Sequence, residues 1–181
     1  MENYTTNLYN EILKKIKNDQ RAMLRLKKAE NQLFFSDYSF LEQMPFHQLA
    51  CLLCHITFAP DEQTIEEKIK MITLGLFKRQ KNAEEFILAL NALNQQLIER
   101  AHYRQWPIPL EAIHVLNEAI GNSNTEILEW ALRMIASMGN HSRLFQKKIE
   151  ILRPQLLKLF SPHQQQAFII IDQLKNEWKK I

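Results

Sequence analysis

The sharpest pattern with chemical potential in this sequence is the run Cys51-Leu52-Leu53-Cys54-His55. Its C-x-x-C-H spacing is that of covalent haem attachment. Both residues between the cysteines are leucines in an apolar segment. Haem attachment of this kind also normally requires export, and no signal peptide is visible. We therefore interpret Cys51 and Cys54 as small apolar side chains that fill a helical core, and we expect no cofactor.

The same residues offer a second interpretation as part of a metal site. His47, Cys51 and Cys54 share one face of a helix, with His55 beside them, and zinc accepts such ligands. A structural zinc site needs four ligands, and the sequence holds no second C-x-x-C or histidine pair. A further ligand would have to come from one of the distant histidines, which are His102, His114, His141 and His163. Ordinary buried cysteines are the favoured interpretation, so we predict no metal.

Two Glu-x-x-His spacings form a weaker metal candidate. Glu99 with His102, and Glu111 with His114, would each share a helical face, as in the pairs that di-iron helical bundles use. Such bundles also need a glutamate from each of two further helices, and they place the pairs in the middle of long helices. The two pairs here flank a proline-broken segment, so we interpret them as half-exposed side chains at helix ends.

Basic side chains recur every three or four residues early in the chain. On one continuous helix, the series would make a stripe about 21 Å long. Its members are Lys14, Lys17, Arg21, Arg25 and Lys28. Residues 14–28 hold seven basic residues and one acidic residue, whereas the rest of the chain holds 16 basic and 19 acidic residues. The positive excess of the protein therefore comes from this segment.

Such a stripe fits three roles. It could contact the acidic surface of another protein. It could neutralise phosphates of nucleic acid or anionic lipid, or it could be the solvated face of an amphipathic helix. Few aromatic side chains lie among the basic ones, which disfavours the stacking mode of single-strand binding. We predict an acidic protein partner, with nucleic acid as the alternative.

A break in the helical pattern lies at Trp106-Pro107-Ile108-Pro109. Two prolines two residues apart forbid a continuous helix, so we predict one helical domain, with two packed halves, 1–104 and 107–181, as a possible subdivision.

The aromatic residues beside this break form a candidate contact site. Trp106 lies close to Tyr103 and Arg104, and these are the residue types that dominate binding hot spots. Trp106 is therefore a candidate partner-binding residue. The favoured alternative is that it fills the junction between the halves, because tryptophan is usually largely buried.

Helices must position all these candidates, because apolar residues recur at helical spacing almost everywhere. The spacing predicts a first helix over about 5–35 and a buried helix over 46–58. Pro154 is expected to kink or divide the helix in which it lies. Further helix boundaries are predicted at Asn82, Gly121, Asn124 or Thr125, Gly139, Ser142 and Ser161.

The predicted helix starts near residues 110, 125, 142 and 162 give one helical hairpin about every 35 residues. This spacing resembles that of HEAT, armadillo and tetratricopeptide repeat proteins. The resemblance covers the stretch after Pro109 and is one of spacing only, since the tetratricopeptide Trp, Gly and Tyr pattern is absent. Helical periodicity along the chain predicts an all-α protein of about eight helices packed as consecutive antiparallel hairpins, and the resemblance implies a repeat-like architecture at least in the C-terminal half.

Composition narrows the class further. The chain has 181 residues, of which 46% are hydrophobic and 24% charged, the balance of an ordinary globular protein. It holds only three glycines, too few and too scattered for a phosphate-binding loop. Two cysteines and the lack of a visible signal peptide or spanning segment favour the reducing cytoplasm.

No pattern in the sequence amounts to catalytic machinery. The metalloprotease spacing H-E-x-x-H and the nucleophile elbow G-x-S-x-G do not occur. We therefore expect a non-catalytic protein–protein interaction module. Nucleic-acid binding is the alternative, and a metal or haem protein around Cys51 and Cys54 is the third hypothesis.

Overall fold

The computed structural model describes residues 2–19, 23–36, 38–59, 63–156 and 161–179. Helix predominates among them, so the predicted all-α class is confirmed. The helices and strands, in chain order, are α1 (Glu2–Asn18), β1 (Leu24–Leu26), α2 (Lys28–Phe34), α3 (Tyr38–Gln43), α4 (Phe46–His55), β2 (Ile56–Phe58), α5 (Gln63–Arg79), α6 (Ala83–Leu93), a π-helical turn (Asn94–Ile98), α7 (Glu99–Tyr103), α8 (Leu110–Ile120), α9 (Thr125–Ser137), a 3-10 helix (Gly139–Phe145), α10 (Gln146–Leu156) and α11 (Pro162–Trp178). The helix-pair repeat architecture stays a prediction.

The chain divides into two compact units, Met1–Arg100 and Ala101–Ile181. The division falls inside α7, shortly before the predicted break at the two prolines. In the first unit α4 is the central helix, since Leu49, Leu52 and Leu53 are almost fully buried and it contacts α1, α5 and α6. The prediction of a buried helix beginning at Phe46 is therefore confirmed.

A small parallel sheet corrects two helix predictions. β1 pairs with β2, Leu24 opposite Ile56 and Leu26 opposite Phe58. The predicted helix over 5–35 is wrong, because α1 ends at Asn18 and α2 begins only at Lys28. The predicted helix over 46–58 is too long as well, because α4 ends at His55 and β2 follows it. Residues 56–58 are β-branched or aromatic, which favours a strand once a partner strand is present.

The end of α4 is stabilised by a side chain from the π-helical turn. Gln96 is 1% exposed, and its Nε2 donates to the carbonyl oxygens of Leu53 at 2.6 Å and Ile56 at 2.7 Å. The last carbonyls of a helix have no partner within the helix. Gln96 satisfies them where the chain changes from helix to strand.

In the second unit α9 contacts α8 and α11. The predicted caps are confirmed at Asn124, which accepts backbone hydrogen bonds from Glu126 and Ile127, and at Ser161, which accepts one from Gln164. The prediction that Ser142 caps a helix is wrong. It lies buried in the 3-10 helix and accepts a hydrogen bond from Trp178 Nε1 at 2.8 Å.

Pro154 does not divide its helix, because α10 continues to Leu156. Gly121 and Gly139 do follow helix ends as predicted, and Gly139 has a φ of 57° that favours glycine. None of the helices in the described ranges is long and apolar enough to cross a bilayer.

Candidate functional site

The cysteine motif lies on the carboxyl-terminal half of α4. His55 Nδ1 donates to the carbonyl oxygen of Cys51 at 2.8 Å, and Cys51 Sγ lies 3.9 Å from the same nitrogen. Cys54 Sγ donates to the carbonyl oxygen of Leu88 at 3.8 Å. Burial raises the pKa of both thiols, that of Cys54 to about 12. Both cysteines are free and protonated at neutral pH, whereas metal ligation requires the thiolate.

His47, a weak candidate ligand beside this motif, is mostly exposed and lies next to a carboxylate. His47 Nε2 lies 3.4 Å from Glu85 Oε1, and the same carboxylate accepts the backbone N–H of Lys81 at 2.7 Å. No group of three or more histidine, cysteine, aspartate or glutamate side chains suited to a metal occurs in the described part of the chain.

The two Glu-x-x-His pairs are exposed. Glu99 and His102 lie on α7, and Glu111 and His114 on α8, with all four side chains open to solvent. Exposed pairs of this kind lack the enclosing carboxylates of a di-iron bundle.

The basic stripe is not continuous, because the helix that would carry it does not exist. Lys14 and Lys17 lie on α1, Arg25 lies on β1, and Lys28 begins α2, while Arg21 falls outside the described residues. Lys14 and Lys17 lie near the carboxyl end of α1, where the helix dipole favours positive charge. Lys28 is at the amino end of α2, where the dipole disfavours it. The prediction of one continuous basic stripe along a single helix is therefore wrong.

The proline-broken segment begins with a well-defined helix stop. The backbone N–H of Trp106 donates to the carbonyl of Ala101 at 2.9 Å, and that of Gln105 to His102 at 3.1 Å. This pair of bonds, with Gln105 at a φ of 55°, is the Schellman motif that ends many helices. Glycine usually occupies the position of Gln105, so sequence inspection alone did not reveal the motif.

Three large apolar side chains in and just after this stop are exposed to solvent. Tyr103 is 80% exposed, Trp106 48% and Leu110 70%. The guanidinium of Arg104 lies over the Trp106 ring, 4.7 Å from its centroid. Rigid aromatic groups beside an arginine are typical of binding hot spots. We call the segment Tyr103–Leu110 the aromatic surface.

A second candidate, not foreseen from the sequence, is a groove of about 450 Å³ in the first unit. It lies between α5 on one side and α3 and α4 on the other. The residues that line it are Tyr38, Glu42, Leu49, Met71, Ile72, Leu74, Gly75, Lys78 and Arg79. Its volume lies within the range of small ligand sites, which is about 300–1,000 Å³.

The two walls of this groove differ in charge. Lys78 and Arg79 lie at the carboxyl end of α5, and Arg79 Nη2 donates to the carbonyl of Met44. Tyr38 and Glu42 lie on α3, where burial and the neighbouring Glu42 raise the pKa of the Tyr38 phenol. The phenol therefore stays protonated at neutral pH. The one sequence signal that could have indicated this groove is Gly75, a glycine inside a helical pattern.

Comparison with protein-family models gives no match, and neither curated proteins nor solved structures give a significant one.

Proposed function

We propose that this protein is a non-catalytic protein-binding module whose helical scaffold presents the aromatic surface to a partner protein. The observation that carries the proposal is the exposure of Tyr103, Trp106 and Leu110 within eight residues. A folded protein gains nothing in its own stability from large apolar side chains left in water. Clustered exposed apolar side chains of this kind mark interaction sites.

The backbone supports the same conclusion. Gln105 adopts a left-handed conformation that costs a non-glycine residue about 1–2 kcal/mol. That conformation and the hydrogen bond from Trp106 N–H to Ala101 set the backbone direction at Trp106. A side chain held in place before binding loses less entropy in the complex.

The partner's acidic surface and a cytoplasmic location belong to the proposal as well. Lys14, Lys17 and Arg25 are exposed and keep positive charge on the first unit, although not as one stripe. Cys51 and Cys54 are free, as expected of a reducing compartment. The nucleic-acid alternative depended on the same basic residues as one continuous stripe, so the loss of that stripe weakens both hypotheses, and the aromatic surface favours a protein partner.

The test is a capture experiment from lysate of the source cells, with and without nuclease, using wild-type protein and Trp106→Ala. Truncating a hot-spot tryptophan costs about 2 kcal/mol or more, so affinity for the partner should fall about thirtyfold. Bound proteins are identified by mass spectrometry, and the affinity of the recovered partner is then measured with purified components.

Trp130→Ala is the matched control, because Trp130 is 37% exposed on α9 and lies outside the aromatic surface. A partner lost by Trp106→Ala but kept by Trp130→Ala supports the proposal. Equal capture of the partner by all three proteins would show that the aromatic surface does not contribute to binding. Loss of all bound material on nuclease treatment would favour the nucleic-acid alternative.

A further inference from the structure

The groove in the first unit has a feature that folding does not explain. Gly75 lies in the interior of α5, where glycine destabilises a helix by about 0.5–1 kcal/mol relative to alanine. Its φ is not in the left-handed region. A Cβ atom placed there would meet nothing within 4 Å beyond the neighbouring backbone of its own helix. Neither backbone conformation nor close packing thus requires a glycine here, and its effect is to leave the groove open.

The residues along the groove place an apolar part beside a positive part. Met71, Gly75 and Lys78 follow one another on one face of α5, at spacings of four and three residues. Met71 is 56% exposed, and methionine adapts its shape to varied apolar partners. Ile72 and Leu49 close the floor beneath them.

The charge on the α5 wall indicates what binds. Lys78 is exposed and takes part in no ion pair within the described ranges. Arg79 adds a second positive charge beside it. Glu42 on the α3 wall would repel a carboxylate there, so the acidic group of a ligand belongs on the α5 side. An apolar group next to a carboxylate therefore complements this groove.

We propose that the groove binds a short peptide segment of a partner protein that inserts a bulky apolar side chain over Gly75 and presents a carboxylate to Lys78. The class of occupant follows from the proposed protein-binding function, but the aromatic surface is not needed for it. Met71 and Lys78 on the α5 wall are exposed, which suits a chain passing over the groove better than an enclosed small molecule. Gly75 and Lys78 are about 4.5 Å apart along the helix axis. The peptide's apolar and acidic residues should therefore lie three or four apart in a helix, or one or two apart in a strand.

The test is selection of a phage-displayed library of random twelve-residue peptides on the purified full-length protein. Enriched peptides should share a bulky apolar residue within four residues of an aspartate or glutamate. Their affinities are then measured by fluorescence anisotropy with labelled synthetic peptides. Gly75→Phe, which fills the groove, should weaken binding at least about tenfold.

Three further variants make the result specific. Lys78→Glu should weaken binding about tenfold, and replacing the peptide's acidic residue by lysine should restore it. Lys147→Glu makes the same charge change on α10, outside the groove, and should leave affinity unchanged. Trp106→Ala should also leave it unchanged, so that failure of the aromatic surface and failure of the groove are distinguished.

Circular dichroism and thermal melting test whether each variant is folded. If Gly75→Phe does not fold, Met71→Ala replaces it as the groove variant. The proposal is overturned if no peptide is enriched or if enriched peptides bind Gly75→Phe as well as wild type. It is also overturned if the groove binds decanoate, a fatty acid with an apolar tail and a carboxylate, but no peptide. The same holds if the groove only joins two copies of this chain. The last case would appear as a wild-type dimer in sedimentation that Gly75→Phe dissociates.

Discussion

Gln105 occupies a backbone conformation that glycine adopts more readily. Its φ of 55° completes the Schellman motif at the end of α7, and Trp106 follows directly. The strain is local, because both hydrogen bonds of the motif involve only residues 101–106. We expect a glutamine in this position to lower stability, while the backbone N–H of Trp106 stays bonded to the carbonyl of Ala101. Stored strain of this kind is typical of binding sites.

We predict that Gln105→Gly raises the free energy of unfolding by up to about 1 kcal/mol, since glycine relieves the left-handed strain but loses more entropy on folding. Urea unfolding followed by circular dichroism measures the change. Gln173→Gly is the matched control, because Gln173 is exposed within α11 and glycine there should lower stability by about 1 kcal/mol. Lower stability in Gln105→Gly would show that the side chain of Gln105 contributes more than its backbone strain costs.

At the scale of secondary structure, the helices that the sequence predicts well are those whose boundaries depend on local bonds. Asn82 caps α6 by accepting the backbone N–H of Glu85, and Asn124 and Ser161 do the same for their helices. Such caps involve residues two or three apart, so one stretch of sequence contains both partners. The helix over 5–35 failed because β1 and β2 pair across 32 positions. Helical periodicity in one segment carries no information about that partner.

Within α5, Gly75→Ala should raise the free energy of unfolding by about 0.5–1 kcal/mol, because alanine restricts the unfolded chain and its methyl group meets no neighbour. Thermal and urea unfolding both measure it. Gly139→Ala is the comparison and should lower the free energy of unfolding. Gly139 has a φ of 57°, a left-handed conformation that alanine adopts only with strain. If Gly75→Ala were destabilising, the glycine would have a structural role and the case for an open groove would weaken.

At the scale of the whole molecule, a buried carboxylate ties two helices of the second unit together. Glu129 on α9 is 7% exposed and accepts hydrogen bonds from His163 Nδ1 on α11 at 2.7 Å and from Arg133 Nε at 2.8 Å. Burial by itself raises the pKa of Glu129, but the hydrogen bonds and charges of His163 and Arg133 outweigh it and lower the pKa. The sequence contained no sign of this contact, because residues 129 and 163 are 34 positions apart.

A carboxylate with a lowered pKa stabilises the folded state above its ordinary pKa of about 4.5, and this stabilisation disappears as the pH falls through the folded value. Glu129→Gln should therefore lower the free energy of unfolding by about 1.5–3 kcal/mol at pH 7, the range of hydrogen bonds to charged groups. The difference from wild type should shrink steadily as the pH falls from about 5 through the lowered pKa of Glu129.

Urea unfolding across that pH range provides the measurement. Glu118→Gln is the control, because Glu118 is an exposed carboxylate on α8 with no ion pair among the described residues, and its removal should change the pH profile little. A constant difference between Glu129→Gln and wild type from pH 7 to pH 3 would show that the lowered pKa contributes nothing to stability.

What the sequence by itself determined was the helical class, most of the helix caps, the central helix from Phe46 and the break at Pro107. These features follow from apolar periodicity and from bonds between residues a few positions apart. The tertiary structure alone decided that the basic residues do not form one stripe, that Gln96 and Glu129 bind distant groups, and that Gly75 opens a groove. Each of these depends on segments brought together from more than 20 positions apart, and in a single sequence no spacing rule connects them.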